Sequence, residues 1–323
     1  MTIPSYSAPI QFAAFSSTCC SDEKVKDGDN TGGGSGTTRG TSTNVSVEVK
    51  VVTAQPLTRD NFSPFGDAIY NPRPGRRWDP PAAATKVIAD QANLPFPVNA
   101  ANQGTALRYA PVSNLQDLTA QAPSRNVPSA LGEGRTVVGG PTMSMFVCSS
   151  RQLEKPGDDN AAGSKSEQIE GVFPVKILER HPYTSQTFIP LSSTPGTKYL
   201  IVVAPTLPQS DPANPPVTVG LPVPKGETLP GAGMPDLSRL QAFVSEGFQA
   251  VTYAAGTWHA PMVVLRNPSD GEGDEPLSFV VYQSNTTSAA ENCQEVVFTV
   301  GNGKEEVAGA KVKVPLLKEK SKL

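Results

Sequence analysis

Short apolar runs, each bounded by turn-forming residues, recur along the middle of the chain. Residues 46–53 read SVEVKVVT, an alternation whose period of two matches a half-buried strand. Residues 142–148 (TMSMFVC), 198–204 (KYLIVVA), 248–253 (FQAVTY), 262–265, 278–283 (SFVVYQ) and 296–300 (VVFTV) read as further strands. Many short strands with turn signals between them predict an all-β barrel or sandwich. One helix is predicted over 236–246, DLSRLQAFVSE. Asp236 suits its N-cap, Leu237, Leu240, Phe243 and Val244 make one apolar stripe, and Gly247 suits a left-handed C-terminal cap. A second, shorter helix is expected to include Leu115 and Leu118.

Composition says where the regular structure stops. Of 323 residues, 32 are proline and 28 glycine, both breakers of helices and sheet interiors. They concentrate near 71–101, 152–170 and 205–234, which read as surface insertions in a single catalytic domain spanning 45–301. Residues 1–44, ending in TGGGSGTTRGTSTN, offer too little apolar surface to offset the entropy of ordering, so a disordered N-terminal tail is expected. The stretch 302–323, with six lysines and three glutamates, reads as a mobile C-terminal tail.

With 27 basic and 30 acidic side chains, the net charge of -3 excludes a strongly basic nucleic-acid binder. No apolar run approaches the ~20 residues that span a bilayer, so no membrane partner is expected. The four cysteines, Cys19, Cys20, Cys148 and Cys293, form neither a zinc pattern nor a disulfide framework, and an intracellular setting follows. No basic residue precedes Lys24, which argues against an N-terminal import signal. The last three residues, Ser321, Lys322 and Leu323, match the peroxisomal address read by an import receptor. Peroxisomal location is therefore expected, with the cytoplasm as the alternative.

There are two histidines, His181 and His259, and a lone histidine is most often a hydrogen-bonded structural residue. Their settings argue for more. Glu179, His181 and Gln186 form E-x-H-x4-Q. On a strand Glu179 and His181 share one face and Arg180 takes the other, while Pro182 ends the strand and lets Gln186 fold back. Far along the chain, Gly256-x-x-His259 follows another strand. This layout is similar to the two motifs of metal-binding cupins, with Glu179 in place of a first histidine and Gln186 in place of a final glutamate. The resemblance implies a mainly β fold, a cupin-like barrel of jelly-roll type with one or two short helices. Both histidines would converge in its mouth. Glu179, His181, Gln186 and His259 also make a mixed N/O set that could hold a divalent ion; no other cofactor is expected.

A second resemblance is closer. The blocks LTRDNFSPFGDAI (57–69), NQGTALRYA (102–110), LERHPYTSQTFIPL (178–191), PDLSRLQAFVSEGFQAVTY (235–253), TWHAP (257–261) and ENC (291–293) resemble the ureidoglycolate lyase family, in the family's order and with flanks covering close to half of the chain. The resemblance implies cleavage of ureidoglycolate to glyoxylate and urea in allantoin breakdown, and a homodimer. It implies His181 and His259 as an acid–base pair, with Glu179 orienting His181, acting as base or binding metal. Gln186 would bind the ureido group and Arg108 the carboxylate. Tyr109 and Trp258 are further substrate-binding candidates, Tyr109 with core packing as the stronger alternative and Trp258 as either an apolar wall that orients His259 or plain core. Relatives often carry a second histidine where this chain has Ala260, so either that position supplies no essential chemistry here or the activity is weakened. The alternatives are an amidohydrolase that releases ammonia from the same substrate, and a non-catalytic cupin-like binding protein.

Overall fold

Apolar alternation is realised as strands almost throughout the described residues, which in this computed structural model are 11–13, 49–73, 94–126, 139–156, 169–192, 196–214, 221–266, 275–300 and 305–316. In chain order the strands are β1 (Gln11–Ala13), β2 (Lys50–Thr53), β3 (Gln55–Pro56), β4 (Gly66–Ile69), β5 (Val98–Ala101), β6 (Ala106–Tyr109), β7 (Gly140–Cys148), β8 (Ile169–Val175), β9 (Ile177–Arg180), β10 (Gln186–Pro190), β11 (Lys198–Ala204), β12 (Gln241–Glu246), β13 (Ala250–Tyr253), β14 (Trp258–His259), β15 (Val263–Leu265), β16 (Leu277–Asn285), β17 (Gln294–Val300), β18 (Glu305–Glu306) and β19 (Ala310–Pro315). Two one-turn helices, α1 (Arg59–Phe62) and α2 (Ala289–Asn292), interrupt them.

The largest sheet runs β1-β17-β9-β14-β11-β12-β3, with β15 also on β11 and β18 on β17. A five-stranded sheet runs β4-β13-β10-β16-β7, a three-stranded one β2-β19-β8, and β5 pairs with β6 alone. Strand β11 explains the stacking. Its Leu200, Val202 and Ala204 pack with Phe173, Val175, Val312 and Val314 of the three-stranded sheet. Its Tyr199, Ile201 and Val203 pack with Phe188, Val251, Phe279 and Val281 of the five-stranded sheet. A strand covered on both faces reads as a continuous apolar run, which is why KYLIVVA shows no alternation. The result is three face-to-face β layers. The sheets do not close into the expected barrel, because a layer covers each face of the largest one; a cupin-like β-sandwich is compatible with this arrangement.

Three local expectations are corrected. The helix over 236–246 is a single 3-10 turn, Leu237–Arg239, followed by strand β12. Asp236 does cap the turn, accepting from the Ser238 amide. Beyond it Ala242 and Val244 face one core and Phe243 the other, so the apolar positions that mimic a helical stripe belong to a strand between β11 and β3. Gly247 is not left-handed; its lack of Cβ lets Thr197 approach, a Cβ there lying 3.0 Å from the Thr197 Cβ. The segment around Leu115 is extended, and its first regular turn is Thr119–Gln121.

The tails differ as well. Within 302–323, β19 packs Ala310, Val312 and Val314 into the core between β2 and β8 while Lys311 and Lys313 point outward. Within 1–44, β1 pairs with β17. The rest of 1–44 up to 48, and 317–323 with the terminal Ser-Lys-Leu, lie outside the described residues, as do parts of each insertion.

Candidate active site

Pro182 ends β9 just after Arg180, and the chain turns back into β10 at Gln186. On β9, Glu179 is the registered partner of His259 on β14 on one side and of Glu295 on β17 on the other. His259 in turn pairs with Val203 of β11, whose side chain faces the five-stranded sheet. Glu179 and His259 therefore project toward that sheet. Gly256, at φ +79°, makes the tight turn that delivers His259, and its amide donates to the His181 carbonyl at 2.9 Å. That turn brings the two histidine rings to 5.5 Å between centroids. Glu179 Oε1 lies 3.4 Å from His259 Nε2. Tyr253 of β13 stacks on the His259 ring at 4.1 Å and 8°.

Backbone carbonyls decide where the imidazole protons sit. His181 Nδ1 faces the Asn292 carbonyl at 2.6 Å, and His259 Nδ1 faces the Thr257 carbonyl at 3.0 Å. A carbonyl only accepts, so each Nδ1 carries a hydrogen. Each Nε2 then points into the site, that of His259 toward Glu179 and that of His181 toward Gln186, and the buried Gln186 Oε1 accepts no regular hydrogen bond. Burial holds the His181 pKa below its ordinary value; the neighbouring His259 pushes the same way, against Glu179, the Asn292 carbonyl and Gln186. Cys293 donates its thiol to Glu179 Oε2 at 3.9 Å. Burial, aided by Glu179, raises the Glu295 pKa.

The sequence-based assignments divide. Glu179, His181 and His259 come together, and Gln186 adjoins them, its strand paired with the Tyr253 strand residue for residue. Trp258 does not face the site. It alternates with His259, lies fully buried in the opposite core, donates from Nε1 to the Gly233 carbonyl at 3.3 Å, and carries the Arg180 guanidinium 4.4 Å above its ring. Ala260 is buried in that same core, so its side chain also points away from the histidines. Arg108 and Tyr109 sit on β6 in the separate β5–β6 pair, Arg108 exposed and Tyr109 half-buried. Neither hydrogen-bonds, ion-pairs nor stacks with Glu179, His181, Gln186 or His259 among the described residues.

Several residues escaped the sequence reading. Tyr253 and Glu295 enter only through cross-strand register. Asn292 acts through its backbone carbonyl, and it fixes its own loop by accepting from the Thr286 amide at 2.6 Å and donating to the Thr286 carbonyl at 2.9 Å. Glu291 accepts from the Ser124 amide at 2.8 Å and from its hydroxyl, tying the 119–126 turns to α2. The block 291–293 was the available signal for Glu291 and Asn292.

On the far face, Arg180 is buried among Trp258, Gln294 and the 231–233 carbonyls. It donates from Nε to Gln294 Oε1 at 2.9 Å and from Nη1 to Gly231 and Gly233 at 2.9 and 3.1 Å. No carboxylate pairs with it among the described residues, and burial pushes its pKa down to about 9. It anchors the end of the Pro/Gly-rich insertion against the strands that carry the site.

A divalent ion fits this donor set. The ligand atoms of Glu179, His181 and His259 lie within 4.8 Å of one another. Both Nε2 atoms are bare, and both Nδ1–H groups are engaged by carbonyls, the arrangement that orients metal-binding imidazoles.

Comparison with known proteins shows which family the chain is similar to. The family model described as Ureidoglycolate lyase matches residues 49–303. Among curated relatives, a ureidoglycolate lyase from Schizosaccharomyces pombe is 30% identical over 220 residues, covering 68% of this chain and 81% of the relative. One from Saccharomyces cerevisiae is 28% identical over 235 residues (72% and 86%). One from Pseudomonas paraeruginosa is 31% identical over 251 residues (78% and 92%).

Proposed function

Since the chain belongs to the ureidoglycolate lyase family, we propose that it cleaves ureidoglycolate to glyoxylate and urea in allantoin breakdown. The substrate carries a hydroxyl, a carboxylate and a ureido group on one carbon. As the hydroxyl loses its proton, C=O forms, the C–N bond breaks, and the departing nitrogen takes a proton, so one proton is lost and one gained.

The two histidines suit these two transfers differently. His181 presents a bare Nε2 lone pair and is kept neutral by burial, as a base near neutral pH requires. His259 has an acceptor at each nitrogen, the Thr257 carbonyl and Glu179. As the acid it would pass a proton from Nε2 to the leaving nitrogen, with the Glu179 carboxylate 3.4 Å away to balance the charge. Tyr253 fixes the ring plane. The observation that carries the reading is that the chain's two histidines meet at 5.5 Å with Glu179 alongside. If a divalent ion is bound, Glu179, His181, Gln186 and His259 are the side chains that would hold it, and it supplies Lewis-acid charge to a substrate oxygen.

The test is product analysis with His181→Ala and His259→Ala. Each is expected to cut urea release at least ~100-fold with the fold retained. Near-normal turnover in both refutes the assignment. Ammonia in place of urea identifies the amidohydrolase, and neither product identifies a binding protein.

Two finer statements complete the proposal. A homodimer is supported by the outer face of β7, a strand without charged residues whose Met143, Met145 and Val147 are 72%, 60% and 63% exposed; apolar edge strands of this kind are normally covered. Light scattering on wild type and Met145→Asp tests it, a monomeric wild type refuting it. Peroxisomal import rests on Ser321, Lys322 and Leu323, and a protein with its native C-terminus that stays cytosolic refutes that.

A further inference from the structure

The Gln186 amide is not free to choose which end it shows to the site. Thr142 on β7 donates its only hydroxyl hydrogen to the Gln283 backbone carbonyl at 3.2 Å. Its oxygen must then accept, and it does so from Asn285 Nδ2 at 3.0 Å. That turns the Asn285 carbonyl oxygen toward Gln283, whose Nε2 donates to it at 2.7 Å. Gln283 Oε1 is thereby left to accept from Gln186 Nε2, also at 2.7 Å. Each step is dictated by the one before it, because a backbone carbonyl cannot donate and an amide has one donating and one accepting end. The direction set at the edge strand β7 ends with the buried Gln186 Oε1 unpartnered and turned away from the relay.

This orientation works against the nearest alternative. Gln186 neighbours His181, whose Nε2 is bare and buried. A freely rotating Gln186 would turn its NH2 toward that lone pair and satisfy both groups. The relay withholds that bond, leaving two acceptors facing one another, Gln186 Oε1 and His181 Nε2. Buried acceptors without donors carry a desolvation cost, which a ligand rich in N–H groups relieves. We propose that Thr142, Asn285 and Gln283 are positioning residues that hold Gln186 as an obligate acceptor, and that this acceptor takes the N–H groups of the substrate's ureido end. The proposal rests on the lyase reading for the identity of that ligand.

The test is calorimetric binding of two probes to wild type, Gln283→Leu and Gln283→Glu. Oxalurate is a stable compound with both a ureido group and a carboxylate; glyoxylate lacks the ureido group. Gln283→Leu removes the acceptor that restrains Gln186, and oxalurate should bind about tenfold more weakly, glyoxylate within twofold of wild type. In the same variant the His181 Nε2 nitrogen resonance should shift as the released amide caps it. Gln283→Glu still accepts from Gln186 Nε2 and should restore oxalurate binding to within about threefold. Asn285→Leu, one step further out, should weaken oxalurate in the same selective way should Gln283→Leu fail to fold. Failure of wild type to bind oxalurate, equal loss for both probes, or unchanged oxalurate binding in the Leu variants overturns the relay. Urea release by wild type judges the lyase reading separately: without it that reading falls, while the binding comparison still decides the relay.

Discussion

Glu179→Gln is the sharpest probe of the acid assignment, because it removes one charge and almost no volume. Glu179 Oε1 stands 3.4 Å from His259 Nε2. At an effective dielectric constant near 20, Coulomb's law gives about 5 kcal/mol for a full charge pair at that distance, which is a ceiling. Measured hydrogen bonds to charged groups cluster at about 1.5–3 kcal/mol, corresponding to about a 10- to 150-fold loss in kcat/KM. The glutamine keeps the side-chain shape and still accepts from Cys293, so melting temperature should hardly move. Steady-state urea release is the assay, on the single variant and on His259→Ala with and without it. If Glu179 works through His259, adding Glu179→Gln to His259→Ala costs little more. A folded Glu179→Gln protein within threefold of wild type, or full additivity in the double variant, refutes the pairing.

Three further outcomes follow from the electrostatics. His181 must be neutral to act as base, and its pKa lies below the ordinary value, so the acid limb of kcat/KM against pH should fall below pH 6.5; a limb above that value contradicts the assignment. For Glu295 the folded pKa is raised, so its contribution to stability is fully present below the unfolded value, near 4.5, and is lost as pH rises through the folded value. Glu295→Gln should therefore melt higher than wild type at pH 8 with the advantage gone near pH 4, and an equal difference at both would discount the repulsion from Glu179. Arg180→Met should destabilise by about 3 kcal/mol in denaturant unfolding, since it leaves the Gly231 and Gly233 carbonyls and Gln294 Oε1 without a donor; a neutral result would mean that relief of the buried charge offsets those losses.

Legibility from sequence tracked the range of the determining interaction. The strands at 142–148, 198–204 and 278–283 were readable because a strand's pattern is local. So were the end of β9 at Pro182 and the turn at Gly256, where one residue's backbone decides. The 236–246 segment was misread because Leu237, Leu240, Phe243 and Val244 satisfy a helical stripe and a doubly covered strand alike. What separates them is pairing to β3 and β11, nearly 190 residues upstream in one case, for which the segment itself holds no trace. The strand at Ala310–Pro315 is legible in principle, since Ala310, Val312 and Val314 alternate with Lys311 and Lys313, but the six lysines of 302–323 mask that period. In the site, the residues placed by in-strand alternation, Glu179 and His181, were found. Those placed by cross-strand register, Tyr253 and Glu295, were not.

The same alternation separates chemistry from scaffolding along only a few residues. On β9, Glu179 faces the histidines and Arg180 the far core; on β14, His259 faces the site while Trp258 and the following Ala260 face away. A change at 260 therefore alters packing on the far side of the sheet and leaves the facing pair intact. The converse also holds: the far face is not inert. Arg180 and Trp258 both bind the Gly233 carbonyl, and Pro230 packs against the Gly256 turn that delivers His259, a Cβ at Gly256 lying 3.1 Å from the Pro230 ring. The Pro/Gly-rich insertion thus reaches the site through one strand's thickness, and its effect on turnover should appear as a shift in His259 placement, with no contact to substrate required.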